Sequence, residues 1–210
     1  MTQFKNSIEI TGTIKGSPQY DHEMFGEKFY RCTVSVVRLS GVYDTLQVMI
    51  PGRLLDVLPP LAVGKNVYVR GQLRSYNKIV GGDNRNVVVL FASLITYSES
   101  AGTLNNVELR GCVAAAPIYR TTPFGREICE VLLAIGRGYG KSSYIHCIVW
   151  GRNARYASRF TPGTELELFG RLQSRDYDKA MENGEVVTRT VYEVSAQWVK
   201  DVSGECVANG

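Results

Sequence analysis

The chain has 210 residues, of which 44% are hydrophobic and 21% are charged, and this composition indicates an ordinary globular protein of one large or two small domains. Its formal net charge of +4 is too small to indicate a nucleic-acid partner by itself. No apolar run approaches the roughly 18 residues that a membrane span needs, and the first residues do not resemble a signal peptide, so we expect a cytoplasmic protein without membrane contact.

The cysteines do not form the usual pattern of a zinc site. The five are Cys32, Cys112, Cys129, Cys147 and Cys206, with no C-x-x-C spacing among them, and only two histidines are available as further ligands. Three of the thiols, those of Cys32, Cys129 and Cys147, fall at inward positions of predicted strands. We therefore predict no metal and no other cofactor, with these thiols packed as small apolar groups in a reducing compartment.

The first half of the chain predicts five strands and one short helix. Ile8, Ile10 and Ile14 alternate with polar residues, which is typical of a half-buried strand, and we expect this strand to end at Pro18. Further strands are predicted over residues 29–37, 45–50, 67–76 and 87–96, and a helix over 53–58. The helix is expected to stop before a Pro-Pro pair.

The second half predicts the same order of elements. Strands are expected over residues 107–113, 128–135, 144–150, 166–177 and 187–199, with a helix over 153–160. Asn183-Gly184 marks the tip of the last hairpin.

The two halves are copies of one unit. When the sequence is shifted by 99 positions, identities recur without a gap from Asn6 and Asn105 to Ser75 and Ser174. Glycines dominate the repeated residues, as expected if the same bends are made twice. The chain is therefore a tandem duplication.

A unit of three strands, a short helix and two strands predicts an all-β fold of two tandem OB-folds, each a five-stranded Greek-key barrel. A β-sandwich is the alternative, but it requires more strands than the sequence offers. We expect a first domain over residues 1–98, a linker over 99–104, a second domain over 105–200 and a disordered tail over 201–210.

Aromatic and basic side chains share the strand faces that should be open. In strand 144–150, alternation places Ile145, Cys147 and Val149 inward and Tyr144 and Trp150 outward. The outward positions of strands 67–76 and 166–177 also combine aromatic and basic residues. No acidic residue occurs over 57–82 or 131–164. Such a surface is suited to stacking bases and neutralising phosphates.

Two features of the sequence resemble enzyme motifs but lack the residues that the chemistry requires. The run from Gly136 to Ser142 ends in Gly-Lys-Ser like a phosphate-binding loop, but Ile135 stands where that motif needs its first glycine, and a strand follows instead of a helix. His22 and His146 have no partners for a catalytic set. We expect a protein that is not an enzyme.

The chain resembles the bacterial single-stranded DNA-binding proteins, with two OB-folds instead of one. In the second copy the resemblance lies in the opening strand Asn105–Gly111, in the strand 144–151 with its final aromatic-glycine pair, and in the run 170–175. In the first copy, Gly71–Ser75 matches the family's Gly-Gln-Leu-Arg-Thr run even better. The family's acidic C-terminal tail is absent from this sequence.

The resemblance implies which side chains contact nucleic acid. The family's four stacking aromatics fall on Tyr139, Tyr144, Trp150 and Tyr177, whereas Ser40, Thr45, Pro51 and Lys78 stand at the matching positions of the first copy. The remaining predicted contacts are Arg137, Lys141, Arg152, Arg171 and Arg175 in the second copy and Tyr43, Tyr76, Arg70, Arg74 and Lys78 in the first. One-barrel members of the family work as tetramers, so two barrels in each chain imply a homodimer.

The resemblance and the open faces together predict binding of single-stranded DNA with little sequence preference, in replication, recombination or repair. Two alternatives are an OB-fold protein that binds protein partners, such as a primosome accessory protein, and an RNA-binding module. The RNA-binding alternative uses the same face, because recognition of the 2′-hydroxyl depends on side-chain detail.

Overall fold

The first half of the chain closes into a barrel of five strands. The computed structural model describes residues 5–80, 83–138, 140–180 and 186–204. Its first elements are β1 (Lys5–Met24), β2 (Glu27–Val37), β3 (Tyr43–Pro51), α1 (Gly52–Leu55), β4 (Asn66–Val80) and β5 (Asp83–Tyr97). The hydrogen-bonded ring runs β1-β2-β3-β5-β4 and back to β1, with β3 and β5 parallel and the other pairs antiparallel.

The second half repeats this ring. Its elements are β6 (Asn105–Val113), β7 (Ile118–Thr121), β8 (Glu127–Arg137), β9 (Lys141–Trp150), α2 (Arg152–Ala157), β10 (Glu165–Ala180) and β11 (Val186–Asp201). The ring runs β6-β8-β9-β11-β10 and back to β6, with only β9 and β11 parallel. Two closed five-stranded rings, each with a short helix, are the two tandem OB-folds that the sequence predicts.

Alternation along the strands fills both barrels with apolar side chains. Ile8, Ile10 and Ile14 are fully buried in the first barrel, and Ile145 and Cys147 are buried in the second. The inward positions predicted for Cys32 and Cys129 are confirmed by the same burial. The opposite faces of these strands are left for solvent or for a ligand.

Gly71 and Gly170 explain why glycines recur at the 99-residue spacing. Each lies at a register shift where the barrel bends, between Arg70 and Gly71 in one copy and between Phe169 and Gly170 in the other. A Cβ atom at Gly71 would lie 2.1 Å from the carbonyl oxygen of Phe91, and a Cβ at Gly170 would lie 2.3 Å from that of Ser195. Only glycine permits the backbones to approach this closely.

The two barrels join edge to edge through their first strands. β1 and β6 pair antiparallel, from Lys5 opposite Arg110 to Ile10 opposite Asn105, so the chain forms one eleven-stranded sheet. Lys5 makes an ion pair with Glu108 across this junction, and the hydrogen bond to Glu108 raises the pKa of Lys5. The strand pairing holds the barrels as one unit despite the short, polar linker predicted between them.

Two further contacts between the barrels are related by the repeat. In the first, Ser174 donates its N–H to Asp44 Oδ1 (2.8 Å), and Thr45 donates its N–H to Ser174 Oγ (2.9 Å). In the second, Ser75 donates its N–H to Ser143 Oγ (3.2 Å), and Tyr144 donates its N–H to Ser75 Oγ (2.7 Å). Ser174 corresponds to Ser75, and Asp44 corresponds to Ser143, at the 99-residue spacing.

The contact that contains Asp44 has a buried carboxylate facing two arginines, and we name it the acidic seam. Besides Ser174 it contains Arg38, which donates to both carboxylate oxygens of Asp44 (2.8 and 2.5 Å), and Arg171, whose Nη1 lies 3.6 Å from Asp44 Oδ2. The hydrogen bond to Asp44 raises the pKa of Arg38. Burial, and then the charge of Arg38, lower the pKa of Arg171. The second contact, with Arg74, Ser75, Arg137 and Ser143, is named the basic seam.

Several expected boundaries differ from the structure. β1 does not end at Pro18 but continues to Met24, because a one-residue bulge between Gly16 and Gln19 accommodates the proline. The short strand β7, which pairs with β8 and has no buried residue, was not predicted. Both helices are shorter than expected, at Gly52–Leu55 and Arg152–Ala157.

The described structure extends into the first residues of the expected tail 201–210. β11 continues through Asp201, and Val202 is fully buried and donates its N–H to the carbonyl oxygen of Glu165 (2.9 Å). Residues 205–210 lie outside the described residues. Among the helices in the described ranges, none is long and apolar enough to cross a membrane.

Candidate nucleic-acid interface

The outward face of β9 presents an aromatic residue at each end. Tyr144 is 45% exposed and Trp150 is 36% exposed, with exposed His146 between them. The inward residues Ile145, Cys147 and Val149 are buried as predicted. Strand alternation thus anchors β9 through its inward residues in the core and leaves the two aromatic rings on the surface.

Both aromatic residues are held by specific hydrogen bonds. The indole Nε1 of Trp150 donates to Ser195 Oγ (3.0 Å), which orients the ring while leaving part of it open. The carbonyl oxygen of Tyr144 accepts a hydrogen bond from Asn86 Nδ2 (3.1 Å) of the first barrel, in addition to the contact with Ser75. An aromatic ring with little freedom loses little entropy when a base stacks on it.

A groove in the second barrel, of about 530 Å³, lies beside this face and is named the second groove. His146 and Ile148 of β9, Arg175 and Tyr177 of β10 and Tyr192 of β11 line it. One wall comes from the first barrel, from residues 84–88 of β5. The guanidinium of Arg175 lies 5.9 Å from the ring centroid of Tyr177, which is within the range of a cation–π contact.

A groove of about 700 Å³ on the first barrel, the first groove, has a different construction. Its floor is apolar, formed by Met49, Val89 and Phe91. Its described cations are Arg31, Arg74 and Lys78 from the first barrel and Arg137 and Lys141 from the second. An apolar floor rimmed by cations can accept a base below and a phosphate at the edge.

The first groove also holds one carboxylate among its described lining residues. Asp21 accepts two hydrogen bonds from Arg31 (2.9 and 2.6 Å) and lies 2.7 Å from the ring Nδ1 of His22. Arg31 donates in addition to the hydroxyl of Tyr76 (2.9 Å). The hydrogen bonds of His22 and Arg31 lower the pKa of Asp21, although its partial burial acts in the opposite direction.

The grooves collect some of the predicted contact residues but not all of them. Tyr177 and Arg175 line the second groove, while Tyr76, Arg74, Lys78, Arg137 and Lys141 line the first. Tyr43, Arg70 and Arg152 are exposed on strands or a helix outside both linings. Arg171 lies in the acidic seam, and Tyr139 falls outside the described residues.

The sequence prediction did not include several groove residues, among them Arg31, Phe91 and Arg85. Phe91 lies in the continuous apolar run 87–92, which is the pattern of a strand buried on both faces, so its side chain gave no separate signal for a groove. Arg31 precedes the buried Cys32 on β2, so strand alternation could have placed it on the outward face. Arg85 lies between the exposed residues Asn84 and Asn86 of β5, where no alternation marks it.

None of the four thiols in the described ranges lines either groove. Burial raises the pKa of Cys32 and of Cys129 to about 11, so both thiols remain protonated at neutral pH. Across the described ranges, no three His, Cys, Asp or Glu side chains come together in an arrangement that could hold a metal ion.

Residues 104–202, the whole of the second barrel, match the model of the Single-strand binding protein family. The second barrel is therefore similar to this family. The match confirms the resemblance drawn from the opening strand, the β9 strand and the run 170–175. The described stacking candidates Tyr144, Trp150 and Tyr177 all lie within the matched region.

Two curated relatives agree with the family match. The chain is 34% identical over 95 residues to Single-stranded DNA-binding protein 1 of Staphylococcus aureus (strain COL), covering 42% of this chain and 57% of that protein. It is 29% identical over 97 residues to the Single-stranded DNA-binding protein of Enterococcus faecalis (strain ATCC 700802 / V583), covering 43% of this chain and 52% of that protein. The chain thus spans about half the length of the curated relatives it matches.

A solved structure covers both barrels. The wild-type single-stranded DNA binding protein from Thermus aquaticus is similar with a TM-score of 0.74 and 22% sequence identity, over 95% of this chain and 93% of that chain. The likeness shows that the tandem arrangement of two OB-folds, and not only the single barrel, occurs in a known fold.

Proposed function

We propose that the protein binds single-stranded DNA with little sequence preference and protects it in replication, recombination or repair. The observation that carries the proposal is the outward face of β9, where Tyr144 and Trp150 are exposed on a barrel that is similar to the single-strand binding family. The relatives' names support DNA as the ligand. The proposed role is that of a binding protein, not an enzyme, in the cytoplasm.

Affinity arises from stacking and from phosphate neutralisation. Every base has a π-face, so stacking on Tyr144, Trp150 and Tyr177 is tolerant of sequence and contributes about 1–3 kcal/mol per base. The cations at the groove edges neutralise phosphates and release condensed counterions. Neither contribution reads the hydrogen-bonding edges of the bases, which is why we expect little sequence preference.

The second barrel is proposed as the main strand-holding module, and the first as a source of charge and of assembly contacts. At the positions matched to Tyr144 and Trp150, the first barrel has Thr45 and a buried Pro51, neither of which offers a ring for stacking. The cations of the first groove support an electrostatic contribution from the first barrel.

We further propose that the chain forms a homodimer that presents four barrels, with the two-fold contact that is most common in such assemblies. A mass in solution near twice the chain mass of 23.3 kDa would support it. A strict monomer at micromolar concentration would contradict it.

The deciding experiment is quenching of Trp150 fluorescence by oligothymidylate. The chain has two tryptophans, and the second, Trp198, is 44% exposed, so Trp198→Phe provides a protein in which Trp150 alone reports. Trp150→Phe, which retains Trp198, is the matched control. Saturable quenching in the first variant and little in the second is expected, because only Trp150 is proposed to stack.

The same titration separates the alternatives. RNA and DNA oligomers of equal length, run in parallel, measure the preference between the two nucleic acids. No quenching and no change in anisotropy with either ligand would contradict nucleic-acid binding and favour an OB-fold that binds protein partners.

A further inference from the structure

The two seams between the barrels have the same architecture, but only the acidic seam contains a carboxylate. Arg38 in the acidic seam and Arg137 in the basic seam occupy matching positions of the repeat. Arg38 is neutralised by the fully buried Asp44. At the position of Asp44 the basic seam has Ser143, which accepts a hydrogen bond from the backbone of Ser75 but carries no charge.

The basic seam has its second cation, Arg74, at a position that is uncharged in the acidic seam. Arg74 stands where the acidic seam has a glutamine, and its neighbour in the chain, Ser75, is fixed to β9 by the two hydrogen bonds of the seam. These bonds bring Arg74 to the end of the β8–β9 hairpin, where Arg137 pairs with Lys141 across the strands. Burial, and then the positive charge of Arg137, lower the pKa of Arg74.

Each of the two guanidinium groups has one donor that the protein does not satisfy. The Nε atoms of Arg74 and Arg137 are both buried without a hydrogen-bond partner in the described part of the chain. Asp21, the one carboxylate among the described lining residues of the first groove, already accepts from Arg31. A buried donor without an acceptor is costly, and two like charges side by side add to that cost, unless an anion enters.

Phe91 positions Arg74 in this arrangement. The guanidinium carbon of Arg74 lies 3.4 Å from the centroid of the Phe91 ring, so the cation lies over this ring of the first groove. Phe91 packs in turn against Phe29 (5.6 Å between ring centroids). A guanidinium that lies over an aromatic ring can still donate hydrogen bonds from its edge to an oxyanion.

We propose that the basic seam is a phosphate-binding site built by both barrels, in which Arg74 and Arg137 together hold one phosphodiester of a strand that passes from one barrel to the other. This proposal rests on the proposed function, and it specifies where the DNA strand crosses from one barrel to the other. The phosphate supplies the negative charge that Asp44 supplies in the acidic seam. Planar, fork-like guanidinium donors suit an oxyanion of this kind.

The strongest test introduces a carboxylate into the basic seam at Ser143, the position that corresponds to Asp44. Ser143→Asp reproduces the acidic seam at the basic one, so the variant is expected to fold and to neutralise Arg137 internally. Affinity for an oligothymidylate of about 30 nucleotides should fall about tenfold or more, because hydrogen bonds to a charged group are lost. Ser100→Asp makes the same change in the exposed linker and should bind like the wild type.

A double-mutant cycle tests whether one phosphate is shared. Arg74→Gln and Arg137→Gln should each weaken binding about tenfold, and the double variant little more than either. The slope of log K against log salt should lose about 0.7, the value for one phosphate on a single strand. Arg159→Gln, which removes an exposed arginine beyond α2, is the charge-matched control. The shared site would be refuted if the affinity losses of the two single variants multiplied in the double variant. It would also be refuted if the slope of log K against log salt did not change.

Phe91→Leu tests the positioning role. The variant should weaken binding in the wild-type background but cause no further loss in the Arg74→Gln background. An equal loss in both backgrounds would mean that Phe91 acts only through stability, and the positioning role would be wrong. Melting temperatures of all variants show which of them fold.

Two outcomes separate this inference from the proposed function. If the wild type and Ser100→Asp bind DNA and Ser143→Asp and both arginine variants bind equally well, the seam site is refuted and the proposed function stands. If no form binds DNA, the proposed function itself fails. Inorganic phosphate at constant ionic strength tests a free anion as the ligand. Thermal stabilisation that Arg137→Gln abolishes, with DNA affinity unchanged, would refute the phosphodiester assignment.

Discussion

Replacing Asp44 with alanine should destabilise the whole molecule, because this carboxylate faces both arginines of the acidic seam. Its side chain is fully buried and receives two hydrogen bonds from Arg38 and one from the N–H of Ser174. The substitution leaves a partly buried guanidinium and a backbone donor without their acceptor. Removing one partner of a buried ion pair costs about 3–5 kcal/mol.

That cost converts into a large change in melting temperature. For a chain of about this size, 1 kcal/mol corresponds to roughly 2–4 °C, so Asp44→Ala should lower the melting temperature by about 10 °C. Circular dichroism or calorimetry at pH 7 measures it. Asp44→Ser, which copies the acceptor that Ser143 provides in the basic seam, retains a partner for Ser174 and should cost less.

A double variant separates the effect of the lost charge from the effect of the cavity that alanine leaves. Arg38→Gln combined with Asp44→Ser removes both charges, and replacing both partners of a buried pair is often close to neutral, so this double variant should recover most of the loss. An Asp44→Ala protein that melts within about 2 °C of the wild type would refute the reasoning. So would a double variant that is less stable than Asp44→Ala.

Three other predictions concern binding and pH. The double variant Tyr144→Ala with Trp150→Ala should lose roughly 2–6 kcal/mol of binding free energy for DNA, and Tyr43→Ala with Tyr76→Ala should lose visibly less. Fluorescence anisotropy at one salt concentration measures both losses. Equal losses would contradict the asymmetry between the barrels. With four to six phosphates neutralised at about 0.7 each, log K should fall against log salt with a slope of roughly −3 to −4, whereas a flat dependence would mean that stacking alone holds the strand. Burial raises the pKa of Cys32 to about 11, above its unfolded value, so the protonated thiol favours the folded state. The free energy of unfolding should therefore be largest below about pH 9 and fall as the pH rises toward 11, and denaturant titrations should show a weaker fall for Cys32→Ala.

The repeat and the barrels could be predicted from the sequence because both depend on short-range patterns. Period-two alternation assigned Ile145, Cys147 and Val149 to the core, and the burial of these residues confirms it. The same alternation placed Tyr144 and Trp150 on the open face. The 99-residue spacing of glycines marked bends such as the one at Gly71, where the barrel leaves no room for a Cβ atom.

Features without a local pattern were mispredicted or missed. Pro18 was expected to end β1, but the proline is accommodated in a bulge, because β2 still offers partners on both sides of it. β7 has no buried residue and so lacks the alternation that would reveal it. Tyr139 and the other predicted DNA contacts remain predictions.

The sequence by itself determined the duplication, the strands and the side of each strand that faces the core, because these depend on residues close together in the chain. Only the tertiary structure decided which charges meet. Arg171 and Asp44 face each other in one seam, and Arg74 and Arg137 in the other, after β1 and β6 pair and bring distant strand ends together. Electrostatic energy depends on distance in space and on burial, and neither follows from the position of a residue in the chain.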